Sequence, residues 1–316
     1  MVVTDIFVWT SLAAASLLII SNSAAYIIMA ISDYAKKTGI SDYLIGFVVV
    51  SLATSLPELS TAIIASVTNS SDLILGNIIG ANINDVTIVL GVTAIIGKKL
   101  FIHGKVLTKT VFTVLFMSAL PLIVGVDGYV SRIEGIFCIL AFIFYIVRLI
   151  KKEGKLGHVK KQVLLKDVWV DMLVIGGTVA ALLLSTNWLL ISTKRIGEIL
   201  HINPFFTGMI IIGGATTVPE LIVNLKSVLG GTSGIAFGDV LGSVVANSSL
   251  VLGIAAVIQP IRFIPGPFIT SAIFMVTTVY IALLFIMKKS IDWQEGIGLL
   301  LIYATFLVRE YFTYFS

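Results

Sequence analysis

The sequence has one cysteine, three histidines and few charges, and each shortage excludes a class of chemistry. Cys138 alone makes neither an internal disulfide nor a thiolate metal centre. His103, His158 and His201 all fall in or beside polar connections, so a histidine-ligated metal or a Ser-His-acid triad within the membrane lacks its histidine. Charged residues make up 12% of the 316, where a soluble domain carries about 25%. Hydrophobic residues reach 58% and the mean hydropathy is +1.07, so the chain reads as an integral membrane protein in a lipid bilayer. Basic patches mixed with aromatics are missing outside the loops, so the net charge of +4 does not point to nucleic acid. Membrane proteins concentrate Lys and Arg in cytoplasmic loops instead. The first apolar run has no basic n-region and is too long for a signal h-region, so it reads as a retained first helix.

A helix needs roughly 20 apolar residues to cross the bilayer core. Hydropathy and breaks predict an all-α fold of ten spans, near 6–31, 42–67, 73–97, 105–125, 131–150, 168–192, 205–229, 234–258, 267–287 and 293–313. The longest polar segment, "KKEGKLGHVKKQVLLKD" from Lys151 to Asp167, separates 1–150 from 168–316, five spans each. Connections 1–2, 3–4, 5–6, 7–8 and 9–10, with the adjoining span ends, hold sixteen of the 21 Lys and Arg residues. The positive-inside bias then puts both termini outside and the basic loop 151–167 in the cytoplasm. A compact chain without a targeting segment suits a prokaryotic plasma membrane. Trp169, Trp188 and Trp293 read as interfacial anchors, and Asp5, Asp42 and Glu295 as solvated.

The two halves resemble each other. "GFVVVSLATSLPEL" from Gly46 aligns with "GMIIIGGATTVPEL" from Gly208, and "GNIIGANINDVTIVLG" from Gly76 with "GDVLGSVVANSSLVLG" from Gly238. A constant offset of 162 runs without a gap from 46–91 to 208–253 and pairs Pro57 with Pro219 and Glu58 with Glu220. Five spans per half force the halves to insert in opposite orientations. Inverted repeats with helices interrupted in matching places mark the substrate site of a secondary transporter.

The motif has a physical logic. Proline lacks an N–H and clashes with the carbonyl four residues back. Pro57 thus frees oxygens around Ala53 and Thr54, and Pro219 around Ala215 and Thr216. In hydrocarbon those oxygens need partners within the protein, and a cation is a natural one. Thr54 and Thr216 each lie one turn before a glutamate, and intramembrane carboxylates are functional by default. On a helix Asn77, Ala81 and Asp85 share a face, as do their partners Asp239, Ser243 and Asn247. Asp239 reads either as a ligand or as a brace. Gly76 and Gly80 read as packing devices, and Ser60, Thr61 and Thr87 as hydroxyls bonded back to their own helices. An oxygen-only inventory fits calcium or sodium better than zinc or copper.

On "ATSLPE" with "ATTVPE", and "GNIIGANIND" with "GDVLGSVVAN", the chain resembles the calcium/cation antiporter superfamily, in particular the prokaryotic sodium/calcium exchangers. The resemblance implies calcium export in exchange for sodium by alternating access, with no cofactor beyond the transported ions. It places calcium at Glu58 and Glu220 with the carbonyls of Thr54 and Thr216. Its sodium sites add the Ser51 and Gly213 carbonyls, Ser55, Thr217, Ser243, Asp85 and Asn247. Three positions depart from the family pattern. Ala81 stands where a serine is common, the acid is Asp85 in the first half and not its mate Asn247, and "GD" at Gly238-Asp239 replaces the usual "GN".

Those departures keep proton coupling open as an alternative, because buried carboxylates hold protons. A passive cation channel is a third reading, although channels usually build rings of ligands by oligomeric symmetry. An intramembrane enzyme using the two acids has no substrate cleft or water route in the sequence to support it. Replacing Glu58 by Gln is expected to abolish exchange in a saturable counterflow assay. Intact exchange would remove Glu58 from the site, and a flux without counterflow would indicate a channel.

Overall fold

The computed structural model describes residues 2–36, 42–101, 105–153, 165–200 and 203–315. Helices dominate: α1 (Val2–Lys36), α2 (Ile45–Thr54), α3 (Leu56–Val67), α4 (Ser71–Gly97), α5 (Lys105–Ser118), α6 (Leu120–Val124) and α7 (Arg132–Glu153) come first. Then follow α8 (Leu165–Ile199), α9 (Pro204–Leu229), α10 (Ser233–Ile258), α11 (Pro265–Met287) and α12 (Trp293–Phe315). Six helices among the described residues are long and apolar enough to cross a membrane, and α2 with α3, bent by 42°, adds a seventh. The protein is therefore an all-α membrane protein. Helices α1, α5 with α6, and α8 also lie over segments read from hydropathy as spans.

Proline decides two of the breaks. The span read as continuous over 105–125 parts at Ala119, because Pro121 in the first turn of α6 offers no N–H to the preceding turn. Pro57 does the same between α2 and α3. Helix α7 runs on to Glu153 and α8 begins at Leu165, so most of the basic loop, 154–164, lies outside the described residues. Trp188 and Trp293 are exposed, as interfacial anchors require; the side chains of Trp169 and Asp42 lie outside the described set. Asp5 is exposed, but Glu295 is only half-buried in solvent terms: it accepts from Lys288 Nζ at 2.8 Å and from the Asp292 main-chain N–H at 3.1 Å.

Details absent from hydropathy repeat at the same offset of 162. Four π-helical turns interrupt the spans, at Ile45–Val50 in α2, Asp85–Val89 in α4, Thr207–Ile212 in α9 and Ala246–Val251 in α10. A π turn inserts an extra residue into the helical ladder and recurs mostly at functional sites. The ends of α3 and α9 close alike. Asn69 and Gly231 both take positive φ, 55° and 77°, and the N–H groups of Ser70 and Thr232 reach back to Ala65 and Ser227. A left-handed residue there satisfies carbonyls that a helix end leaves open. Two short strand pairs also form, which an all-α reading does not anticipate. Strand β1 (Lys99–Phe101) pairs antiparallel with β4 (Ser290–Asp292), and β2 (Tyr129–Val130) with β3 (Ile261–Arg262). Shifting the register Lys99↔Asp292 by 162 yields Ile261↔Val130, the register observed.

The centre of the molecule is where α4 and α10 cross the broken helices. These two spans are 83% and 78% buried, whereas Arg132–Lys151 and Trp293–Thr313 bury only 28% and 22% and form the periphery. Helix α10 packs on the π turn of α2, and α4 on the π turn of α9. Glycine makes both crossings possible. A Cβ on Gly76 would stand 2.9 Å from the Met209 main-chain nitrogen, and one on Gly238 2.6 Å from that of Phe47. At Gly80 a Cβ would meet the Met209 carbonyl carbon at 2.7 Å, so the packing role read from the sequence holds.

Gly80→Ala is expected to lower the melting temperature in detergent through overpacking worth about 1–3 kcal/mol. Gly177→Ala, where nothing lies within 4 Å, should leave it unchanged or raise it. Equal melting of both variants would contradict the close crossing.

Candidate functional site

The site forms where four helices meet, and proline sets its geometry. Pro57 sits in the first turn of α3, and Pro219 in the corresponding turn of Val218–Leu229, the second part of α9. Proline is well tolerated there, since the missing N–H belongs to a turn with unused donors. The hinge residues Ser55 (φ −76°, ψ 3°) and Thr217 (φ −78°, ψ −7°) lie just before them. Ala53 and Ala215, four residues before the prolines, receive no i+4 amide hydrogen bond at all. Each glutamate occupies the first turn of its helix, where the helix dipole favours negative charge.

Burial here is nearly complete. Glu58, Glu220 and Asp85 are each 1% exposed, and Asp239 is 0% exposed. No ion pair among the described residues includes any of them. The four carboxyl groups are close enough to repel one another. Glu58 has Thr216 as a neighbour from the other half, but its Oε2 has no partner. Neither carboxylate oxygen of Glu220 has one. Asp85 Oδ2, Ser55 Oγ, both polar atoms of Asn247 and both of Asn84 are buried without partners as well. Isolated charge in an apolar medium is very costly unless it is neutralised or compensated.

The remaining expected residues divide into free and engaged groups. Thr54 donates to Asp239 Oδ1 at 2.9 Å and lies 3.4 Å from Ser243 Oγ, so Thr54, Asp239 and Ser243 meet across the halves. Thr216 mirrors this more weakly, reaching Asn77 Oδ1 at 3.3 Å. The Ser51 carbonyl accepts from Ser55 N–H at 2.9 Å, and the Gly213 carbonyl from Thr217 N–H at 3.3 Å. The Ser51 carbonyl also accepts from the Thr54 hydroxyl at 3.2 Å, and the Gly213 carbonyl from the Thr216 hydroxyl at 3.4 Å. The Ser51 hydroxyl turns back to the Phe47 carbonyl, and the Thr217 hydroxyl to that of Gly213. Thr87 bonds back to Ile83 as read from the sequence, but Thr61 Oγ1 is buried with no partner.

Asn224 was not singled out from the sequence. It stands one turn after Glu220, donates to the Glu220 carbonyl at 2.7 Å and also donates to Asp239 Oδ2. Its spacing of four from Glu220 placed it on the same helix face, a signal available in the sequence. Among the described residues no three His, Cys, Asp or Glu side chains form a ready-made metal cluster. The oxygens come instead as separated carboxylates among hydroxyls, amides and main-chain carbonyls, the mixture that hard cations take.

Comparison with known proteins shows the family and the fold. The family model described as sodium/calcium exchanger protein matches residues 8–151 and again 170–312. The inner membrane protein YrbG of Escherichia coli is 28% identical over 302 residues, covering 92% of this chain and 93% of that protein. The sodium/calcium exchanger MaX1 of Methanosarcina acetivorans is 25% identical, covering 92% of this chain and 95% of its own. A solved structure of the sodium-calcium exchanger NCX_Mj, soaked with sodium and strontium, superimposes with a TM-score of 0.75 at 22% identity. That match spans 96% of this chain and 98% of the other and shows a shared fold. With both halves matched by one family model, the chain belongs to the sodium/calcium exchanger protein family.

Proposed function

We propose that the protein is a secondary active antiporter that exports calcium in exchange for sodium by alternating access. The observation that carries this reading is the pair Glu58 and Glu220: buried, at matching helix breaks, with carboxylate oxygens left without partners. A divalent cation between them neutralises their mutual repulsion, and the Thr54 and Thr216 carbonyls extend its oxygen shell. Calcium takes 6–8 oxygens, many of them carboxylate and carbonyl. Sodium sites flank it, drawing on the Ser51 and Gly213 carbonyls, Ser55, Thr217, Ser243, Asp85 and Asn247. The proposed architecture has ten spans in two inverted halves, 1–150 and 168–316, with both termini outside and 151–167 in the cytoplasm. Sequence offset, matching π turns and matched strand registers support it. A prokaryotic plasma membrane is the proposed location, in keeping with an inner-membrane relative.

A second reading changes the coupling ion to protons. Ala81 brings no hydroxyl where Ser243 brings one, and Asp85 Oδ2 has no hydrogen-bond partner. Both readings share the calcium site and differ in the flanking ones.

Calcium uptake into proteoliposomes is expected under an outward sodium gradient. Uptake under a matched outward proton gradient alone would establish the second reading, and uptake under neither would redirect attention to another substrate ion. The buried charge also makes a prediction about stability. Calcium should raise the melting temperature, since a ligand at a hundredfold excess over its Kd adds about 2.7 kcal/mol. Glu220→Gln removes an uncompensated charge; it should melt higher without calcium and lose the calcium-dependent rise. A rise retained in Glu220→Gln would exclude Glu220 as a ligand.

A further inference from the structure

The halves of the site differ in one respect that the exchange reading does not use. Around Thr216 the contact is slack: its hydroxyl reaches Asn77 Oδ1 at 3.3 Å, and Asn77 Nδ2 is buried without a partner. Around Thr54 it is tight. Asp239 Oδ1 accepts from the Thr54 hydroxyl at 2.9 Å, and Asp239 Oδ2 accepts from Asn224 Nδ2. Asn224 donates in addition to the Glu220 main-chain carbonyl at 2.7 Å. The counterparts of Asp239 and Asn224 at the offset of 162 are Asn77 and Ala62, so the first half has neither the acid nor the second amide.

We infer that Asp239 and Asn224 are a pair of positioning residues that lock Thr54 of one half to the Glu220 helix of the other, and so set the calcium affinity of the site. The chain of contacts is continuous. Thr54 lies on α2, Asp239 on α10, and Asn224 on α9 one turn beyond Glu220. Both oxygens of Asp239 already accept from donors, in contrast to Glu220, so Asp239 acts through Thr54 and Asn224. Hydrogen bonds to a carboxylate are roughly twice as strong as neutral ones, which favours an acid over the amide found at position 77. Their effect falls on ligand placement: the Thr54 hydroxyl is held by Asp239, which keeps the Thr54 carbonyl at a set distance from Glu220. This inference rests on the proposed calcium site.

Asp239→Asn keeps the shape but sets an amide N–H₂ against the Asn224 amide. Combining it with Asn224→Asp restores a donor facing an acceptor between the two side chains and keeps the buried charge, while the bond to the Glu220 carbonyl is given up. In reconstituted vesicles Asp239→Asn is expected to raise the KM for calcium about tenfold with the maximal rate within about twofold, the signature of lost binding. The double variant should return KM to within about threefold of the native value. Asn224→Ala, which meets Glu220 only at its main-chain carbonyl and not at its carboxylate, should raise KM in the same direction and carries the test if Asp239→Asn does not fold. An unchanged KM in Asp239→Asn or Asn224→Ala, or a double variant no better than Asp239→Asn, would overturn the inference. If native protein shows no uptake, the exchange reading fails. Calcium-induced thermal shifts of the same variants in detergent then decide the positioning role separately: weakened binding in Asp239→Asn that the double variant recovers sustains it, and unchanged binding removes it.

Discussion

Buried carboxylates without a countercharge among the described residues are the constraint on which the rest of this structure depends. Glu58 and Glu220 are nearly inaccessible, carry oxygens with no hydrogen-bond partner and belong to no ion pair among the described residues. A folded chain tolerates such groups only where something else compensates them. Several local features reduce the cost. The helix dipoles of α3 and of the second part of α9 point their positive ends at the two acids. Proline removes the N–H that would cover Ala53 or Ala215. The helix break that weakens the ladder is thus the feature that gathers oxygen.

Holding those broken helices in place falls to α4 and α10. Neither supplies its position by side-chain bulk at the crossing. Gly76, Gly80, Gly238 and Gly242 let main chain approach main chain, with Phe47 and Met209 as the facing residues. Van der Waals contact between close backbones is the main attraction available between helices in lipid. Packing at that distance leaves little slack, so polar groups on α4 and α10 reach the hinge residues of the opposite half at hydrogen-bond distance. The related segments then form two similar half-cages of polar groups. Similar is not identical: Asp239, Asn224 and Ser243 stand opposite Asn77, Ala62 and Ala81. The difference concentrates hydrogen bonding on the Thr54 side.

Much of the fold was legible without coordinates because bilayer insertion is governed by composition over windows of about 20 residues, and windows that long average out local irregularity. Pro57 and Pro219 announced the breaks, since no other residue so reliably opens a helix. The spacing of Asn77 and Asp85 announced a polar face. What stayed hidden depended on contacts between remote segments. The π turns left no mark in hydropathy, for an extra residue per turn changes neither composition nor apolar run length. The strand pairs join connections nearly two hundred residues apart in one case, beyond any local pattern. Thr61 was read as bonded to its helix and is not, because its partner depends on rotamer and neighbours.

The sequence by itself determined that this chain lives in a membrane, that its halves are related by an offset of 162, and that two Pro-Glu pairs interrupt it in register. These are properties of residue identity and order, and burial of apolar runs in lipid follows from them directly. Only the tertiary structure decided which polar atoms are free and which are taken. Asp239 and Glu220 are both buried acids, yet one has both oxygens bonded across the halves and the other has unpartnered oxygens. Hydrogen bonds act over about 3 Å, so that distinction exists only once helices from opposite halves have been brought together at glycine.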